Sequence, residues 1–380
     1  MKTIKILAIT IAIIFSTVYV LNLEYFIKGI RVVYLNGQTT VFIDDLKYFD
    51  YETIKANDEK FPWNESENLV DTFSDEFEQI NKEFGTVAYI VIHKDTIIAE
   101  KYYKGYSSNS SSNSFSMAKT LVSMMMGKAL ELGYINSLDD KVVDYIPELK
   151  GEFASDVRII DLATMTSGLD WDEGTSDPFS PVAKQYFVSD VEELMLNQPI
   201  IEKPGEKNHY SSGNTQLLSI LIERASGIKT DKFFGDEIWS KINPDNDAYW
   251  QVDSKKRGNI KSFCCFHSNA RDFSRLGKLY LNYGNWNGNQ IIDSAFVKSS
   301  MKPFLDDFDA YGIGLWLKKH KELNVSLMSG HQGQYVIMIP EKELIITRLG
   351  QRDIDLGGPG AVSYTHLRAH ETDSYLVCRL

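Results

Sequence analysis

The sequence predicts an α+β fold in which a β-sheet lobe is joined to a mostly helical lobe. Runs rich in β-forming residues occur at residues 86–105 and again beyond residue 310, whereas residues 116–260 carry mainly helical patterns and polar loops. Strands this far apart in sequence bury their apolar faces by pairing into one sheet, which leaves the helical block as a second lobe. The cleft between the lobes is the expected site.

The elements are predicted in chain order from local patterns. Residues 25–68 hold few helix signals and many turn residues, so we predict an extended lead-in. Residues 69–84 place apolar side chains at helical spacing and predict an amphipathic helix. Two β-rich runs around "HKD" in residues 86–105 predict a hairpin, and "PEKE" joins a later pair of β runs. We therefore assign the sheet lobe to residues 69–115 and 261–360, and the helical lobe to residues 116–260.

Composition narrows the classes of partner. The chain has 380 residues and a formal net charge of -12, which argues against nucleic acid and anionic lipid as partners. Its three cysteines, Cys264, Cys265 and Cys378, form no disulfide framework and no metal-ligand spacing. The adjacent Cys264 and Cys265 could suggest redox chemistry, but their apolar surroundings favour packed residues at a sheet edge.

The N-terminal residues 1–24 predict export. Two lysines in "MKTIK" precede an uncharged run from Ile6 to Leu23, which would span about 27 Å as a helix, close to the roughly 30 Å of a hydrocarbon core. The run is a signal peptide or an N-terminal membrane anchor, and the bulky residues after it favour an uncleaved anchor. We expect an exported, periplasmic or cell-envelope protein that contacts the membrane through this segment.

The last residues, 361–380, are expected to be non-native. They show no convincing amphipathic period and are similar to translated sequencing-adapter read-through. His366 and His370 stand four residues apart, a spacing that could bind a metal on a helix. Because both lie in this tail, we expect no metal site.

A serine and a lysine at the head of one helix carry the first chemical signal. Three serines open an S-x-x-K pattern, a number that chance alone produces, but only Ser116 stands at the start of a long apolar helix. Residues three apart share a helix face, so Lys119 can place its amine beside the Ser116 hydroxyl. A lysine set in apolar surroundings has a lowered pKa and can act as a base. Taken alone, the stretch is equally compatible with a helix-terminal serine and a lysine that reaches water.

Two further stretches favour a catalytic interpretation. Tyr210 follows a Pro-Gly turn and precedes a helix, and its phenol could relay protons between an activated serine and a leaving group. His331 and Gly333 begin a β run, where a glycine allows close approach of a substrate. Each alone is more simply a buried tyrosine or a turn histidine. All three stretches in this order favour a site.

These stretches resemble the serine hydrolases of the β-lactamase and penicillin-binding-protein superfamily. "SMAKT" is similar to the S-x-x-K box, "YSSGN" to the Y-x-N/S box and "HQG" to the K-T-G or H-x-G box. The resemblance covers about residues 60–360 and is to the class C-like branch, which includes esterases and 6-aminohexanoate-dimer hydrolases. It implies a β-lactamase/transpeptidase-like fold, with an antiparallel sheet flanked by helices and a helical lobe.

The resemblance also implies roles and no cofactor. Ser116 would be the acyl-accepting nucleophile, Lys119 its base, and Tyr210 the residue that assists proton transfer. The backbone N–H groups of Ser116 and Gln334 would form the oxyanion hole. The remaining site residues would line the pocket or face the substrate: Ser212, His331 and Gly333.

One departure from the family pattern guides the choice of substrate. His331 stands where β-lactamases carry the lysine of K-T-G, so strong β-lactam hydrolysis is not expected. We predict an exported serine hydrolase of a small ester or amide. The alternatives are a non-catalytic envelope binding or sensing module with the same fold, and a weak D-Ala peptidase or β-lactamase. A metallohydrolase lacks ligand clusters outside the tail.

Overall fold

The computed structural model describes residues 23–174 and 177–352, together with Ile6, Val18 and Val20. The predicted anchor falls almost wholly outside the described residues, and the predicted non-native tail falls wholly outside them. Within the described part of the chain, no helix is both long and apolar enough to span a membrane.

The described elements alternate as the sequence predicts, with strands on both sides of a helical block. The α-helices are α1 (Glu24–Val32), α2 (Asp75–Glu83), α3 (Ala118–Glu131), α4 (Ile159–Ala163), α5 (Pro181–Phe187), α6 (Val191–Leu196), α7 (Ser212–Ser226), α8 (Thr230–Phe234), α9 (Ala270–Leu281) and α10 (Ser294–Ser300). The strands are β1 (Tyr51–Ile54), β2 (Asn64–Val70), β3 (Thr86–His93), β4 (Thr96–Tyr102), β5 (Ser112–Asn113), β6 (Ala248–Gln251), β7 (Phe266–Ser268), β8 (Asn285–Trp286), β9 (Asn289–Gln290), β10 (Trp316–His320), β11 (Leu323–Gly330), β12 (Gln334–Ile339) and β13 (Leu344–Gly350).

The main sheet joins the two ends of the domain, as predicted. Its seven strands run in the order β10-β11-β12-β13-β3-β4-β2, and all neighbours are antiparallel except β2 and β4. The predicted β3–β4 hairpin is confirmed, and Lys94 and Asp95 in its turn both have positive φ, which suits the right-handed twist of the strands. The "PEKE" hairpin between β12 and β13 is also confirmed.

Both faces of the main sheet are buried at strand β3. Ile90 and Ile92 of β3 belong to the larger apolar core, whereas Tyr89 and Val91 pack with Phe77 of α2 in a second cluster on the opposite face. Successive strand residues point to opposite faces, so a strand covered on both sides is apolar throughout. This explains why β3 shows no polar alternation in the sequence.

Helix α9 covers the larger-core face of the sheet at close range. A Cβ added at Gly277 would lie 2.8 Å from Cγ1 of Val336, so the glycine permits the helix to approach β12. Helix α3 is the centre of the helical lobe, and every residue from Ala118 to Ala129 is buried.

The lead-in differs from the extended segment that we predicted. It contains α1. Its strand β1 belongs to a second, four-stranded sheet with the order β1-β6-β7-β5, and its strand β2 lies at one edge of the main sheet. Helix α1 forms because Tyr25 and Val32 are buried and Gly29 lets the helix approach Phe187 of α5, with ring atoms 3.4 Å from a Cβ placed there. This stabilisation comes from tertiary packing, which local signals do not reveal. The helical lobe likewise includes a strand, β6, which pairs with β1.

The structure bonds Cys264 to Cys265, a disulfide that the sequence did not predict. Both residues are buried immediately before β7, so their predicted packing beside a sheet is confirmed. A bond between neighbours closes no long loop and therefore removes little entropy from the unfolded chain.

Candidate active site

A short, firmly held turn presents Ser116. Strand β5 leads into a 3₁₀ turn, Phe115–Met117, which continues directly into α3. Phe115 has a φ of 44°, and the side-chain oxygen of Asn113 accepts its backbone N–H at 2.9 Å. A non-glycine residue with positive φ stores strain that surrounding bonds must offset. The turn leaves Ser116 half-buried, whereas Phe115 and Met117 are buried.

Lys119 lies beside Ser116, as predicted, and is almost inaccessible to solvent. Its side chain is 2% exposed, and its Nζ lies 2.9 Å from Oγ of Ser116. The same Nζ lies 2.9 Å from Oγ of Ser212 and 3.1 Å from the carbonyl oxygen of Phe263. The interpretation in which Lys119 reaches water is therefore wrong.

Glu173 completes the polar cluster, and the sequence analysis did not single it out. Oγ of Ser212 donates to Oε1 of Glu173 at 2.5 Å, and the backbone N–H of Ser212 donates to Oε2 at 2.9 Å. The indole of Trp171 donates to the same Oε2 at 2.7 Å. The carboxylate lies 3.8 Å from Nζ of Lys119. Ser212 was predicted only to line the site, but it links the lysine to this carboxylate.

Burial and the charge of Glu173 shift the pKa of Lys119 in opposite directions. Burial disfavours the ammonium, whereas the negative charge of Glu173 favours it, and together they lower the pKa of Lys119 from 10.5 to about 8. A substantial share of the lysine is therefore neutral in mildly alkaline solution.

Tyr210 belongs to an aromatic cluster that packs beside Lys119. Nζ of Lys119 lies 4.9 Å from the centroid of the Tyr210 ring, which packs against Trp316 at 5.1 Å and Tyr311 at 6.0 Å. Burial, and then the charge of Glu173, raise the pKa of Tyr210 well above its ordinary value, although hydrogen bonding with Ser116 opposes this. The phenol therefore keeps its proton at neutral pH.

The third predicted stretch lies in the turn between β11 and β12, next to the Ser116 turn. Both strands are interior strands of the main sheet, so the stretch does not lie at a sheet edge. The His331 ring contacts the Phe115 ring edge-on, with centroids 5.4 Å apart. Gly330, which pairs with Gln334, approaches so closely that an added Cβ would lie 2.2 Å from the carbonyl oxygen of Ser114. The first residue of β12 is thereby held beside the Ser116 turn.

Gln334 and Gly333 also hold the turn between β11 and β12 in place. Gln334 is fully buried, and its side chain donates to the Gly350 carbonyl at 2.7 Å, so the side chain fastens β12 to β13 and does not reach into the site. Gly333 has a φ of 76°, and its carbonyl accepts from Arg348 at 2.7 Å. A side chain at Gly333 would collide with the Arg348 guanidinium.

The two other S-x-x-K serines form no comparable site. Ser226 donates to the Ile222 carbonyl at the end of α7, and Lys229 pairs with Glu223 at 2.7 Å. Ser299 lies exposed on α10. Among the described residues, no group of three or more histidine, cysteine, aspartate and glutamate side chains could hold a metal ion.

Glu173→Gln is expected to shift the pH dependence of activity to lower pH. Removing the negative charge withdraws the attraction that raises the pKa of Lys119, so the lysine loses its proton more readily. The measurement is kcat/KM against pH for native and variant proteins. Asp172→Asn, next to Glu173 in the chain, is the matched control, and an equal shift in both variants would contradict a specific effect of Glu173.

Fold and site together define a serine hydrolase with the β-lactamase/transpeptidase fold. A profile of the Beta-lactamase family matches residues 69–360, and the chain therefore belongs to that family.

Relatives of this chain carry hydrolase names. A 6-aminohexanoate-dimer hydrolase of Paenarthrobacter ureafaciens is 25% identical over 299 residues, which are 72% of this chain and 74% of the relative. A solved structure from Bacillus anthracis, provisionally named a 6-aminohexanoate-dimer hydrolase, superposes with a TM-score of 0.76 over 87% of this chain and 93% of its own, at 19% identity. A family VIII carboxylesterase superposes with a TM-score of 0.59 over 80% of this chain and 99% of its own, at 15% identity. At these identities the two structures show a shared fold.

Proposed function

We propose that this serine hydrolase cleaves a small ester or amide through a covalent acyl-enzyme on Ser116. The observation that carries the proposal is the set of partners around Nζ of Lys119. Because the Ser212 hydroxyl donates to Glu173, Ser212 can only accept from the lysine, and the Phe263 carbonyl can also only accept. A neutral amine has two N–H donors and one lone pair. With both donors engaged, the lone pair is left to accept the Ser116 proton.

The reaction follows from this arrangement. The Ser116 oxygen attacks the substrate carbonyl carbon as its proton passes to Lys119, and the carbonyl oxygen becomes an oxyanion. The backbone N–H groups of Ser116 and Gln334 would stabilise that oxyanion, a role supported by the contact of Gly330 with the Ser116 turn. Collapse breaks the bond to the alcohol or amine, which leaves with the proton from Lys119. A water molecule then adds to the acyl carbonyl carbon and gives one proton to Lys119. The bond from this carbon to Ser116 Oγ breaks, the acid leaves, and Lys119 returns the proton to the Ser116 oxygen.

Tyr210 would carry a proton between Lys119 and the leaving group. Its raised pKa makes it a neutral donor and acceptor, which suits a relay and leaves the role of base to Lys119.

Tyr210→Phe is expected to lower kcat by about 10²-fold, within the usual range for one proton-transfer group. The loss should be larger for alkyl esters than for p-nitrophenyl esters, because p-nitrophenolate leaves without a proton. Steady-state kinetics on both ester types measures this ratio. Phenylalanine retains the ring contacts with Trp316 and Tyr311, so a role in packing alone predicts little loss on either ester. An equal loss on both would contradict a role for the hydroxyl in protonating the leaving group.

Among substrates, we rank small esters and amides first, D-Ala peptides second and β-lactams last. The names of the relatives above support this order, as does His331 in place of a lysine that would hold a substrate carboxylate. Stoichiometric labelling of Ser116 by a fluorophosphonate, located by peptide mass mapping, tests the nucleophile, and an ester and amide screen tests the substrate class.

We also propose that the protein is exported and held at the membrane by residues 1–24. The uncharged run after two lysines supports this. Cell fractionation, with protease added to intact spheroplasts, tests it. Protection of the domain from the protease would contradict export.

A further inference from the structure

An open cavity lies between α1, residues 39–41 and α5, outside the catalytic cluster. Its volume is about 130 Å³, and it opens to solvent. Its walls include Tyr25, Phe26, Ile30, Val41, Val182 and Phe187, and no described residue that lines it carries a charge. We call it the α1–α5 pocket. Because 24% of the residues in this chain are charged, a pocket whose described lining has no charged residue stands out from the rest of the surface. Such a lining is suited to an apolar ligand.

The α1–α5 pocket is joined to the site by two sets of contacts. Thr40 lines the pocket, and its Oγ1 lies 3.5 Å from Nε2 of His331, whose ring in turn contacts Phe115. On the other wall, the Tyr186 hydroxyl accepts from the Asn113 side chain at 3.1 Å. The same asparagine fixes the Phe115 N–H, so both walls reach the residue before Ser116.

The α1–α5 pocket is placed to receive a chain that extends from the reacting carbonyl of a substrate bound at Ser116. A chain that extends from the reacting carbonyl past His331 would leave the polar cluster and enter the pocket. Burial of its methylene groups against uncharged walls would favour binding and, if the contacts persist in the transition state, the rate.

We propose that the α1–α5 pocket binds a saturated aliphatic chain of the substrate, so that this hydrolase prefers esters or amides with a medium-length apolar chain. The proposal rests on the proposed function of Ser116. The chain can belong to the acyl group or to the alcohol, and the pocket chemistry is the same for both.

Two ester series test the preference in the full-length protein. In one series the acyl group of p-nitrophenyl esters grows from acetate to octanoate, and in the other the alcohol of alkyl acetates grows from ethyl to octyl. We expect kcat/KM to rise by about threefold per methylene in one series until the pocket is filled. Equal rates for short and long chains in both series would overturn the proposal, since the pocket would then be closed to substrate.

Ala183→Trp tests the location. Ala183 is half-buried on α5 and lines the pocket, so an indole there occupies the space of the chain. We expect the ratio of long-chain to short-chain kcat/KM to fall at least tenfold. Ser299→Trp adds the same ring to the exposed face of α10 and should keep the native ratio. Ile30→Trp, on the facing helix, should reproduce the loss and guards against a folding defect in one variant, and an unchanged ratio in both pocket variants would overturn the proposal.

A binding measurement separates failure of the pocket from failure of the catalytic proposal. Titration calorimetry of methyl octanoate with the Ser116→Ala protein requires no turnover. Binding that Ala183→Trp weakens at least tenfold supports the pocket even if no ester is cleaved. Absence of binding in the folded protein overturns it even if Ser116 is confirmed as the nucleophile.

Discussion

Ser116→Ala is expected to abolish ester and amide turnover, with a loss on the order of 10⁵-fold, and to remove fluorophosphonate labelling. Alanine has no oxygen to attack a carbonyl carbon or a phosphorus atom. The fold should survive, because Lys119 keeps Ser212 and Phe263 as partners and the lost hydrogen bond contributes only about 1 kcal/mol. Ester and amide turnover assays, stoichiometric labelling with peptide mass mapping, and thermal unfolding of both proteins measure the three outcomes.

Two controls for this experiment come from the chain itself. Ser226→Ala and Ser299→Ala remove the other S-x-x-K serines, which have no activating lysine in contact, and both variants should retain native labelling and turnover. If the folded native protein took up no label, the hydrolase mechanism would fail and the binding-module alternative would gain support. Label on another serine would contradict the assignment to Ser116.

Lys119→Met is expected to lower kcat/KM by about 10²–10⁴-fold, the usual contribution of a general base. In the native protein, kcat/KM should rise with pH through about 8 as the buried ammonium loses its proton and its lone pair becomes available. The methionine variant should lose this rise along with the activity. A pH–rate profile for each protein checks both expectations, and a native rate independent of pH between 7 and 9 would contradict the role of Lys119 as base.

The same lysine should leave a signature in stability that does not depend on catalysis. Its folded-state pKa of about 8 lies below the unfolded value of 10.5, so between these values the unfolded chain binds a proton that the folded chain does not. Stability of the native protein relative to Lys119→Met should therefore rise across this window, by roughly 3 kcal/mol, since one pKa unit corresponds to about 1.4 kcal/mol. Denaturant unfolding at pH 7 and pH 10.5 measures the difference, and a constant difference would show that burial does not lower the pKa.

Local patterns predicted those elements of the fold whose stabilisation is mainly local. The β3–β4 and β12–β13 hairpins carry their turn signals between two β-forming runs. Helix α1 was missed because it forms by packing on α5, and β1 was missed because its partner, β6, lies about 200 residues further along the chain. No window of neighbouring residues contains those contacts.

The site also contains residues that the local sequence predicts and residues that only the fold brings together. The spacing of Ser116 and Lys119 on one helical segment is a property of the sequence, since residues three apart share a face. Glu173 has no such local pattern, because a carboxylate in a polar loop is ordinarily solvated. Only the fold places it against Ser212 and Lys119.

The sequence by itself therefore determined the class of this protein, its fold, the order of the three motifs, and the spacing of Ser116 and Lys119, for which we propose the roles of nucleophile and base. Tertiary structure alone decided the protonation chemistry, because the Lys119 pKa depends on burial and on Glu173, which lie in different segments. It also decided the pocket between α1 and α5, because a cavity is bounded by elements that the chain brings together only when it folds.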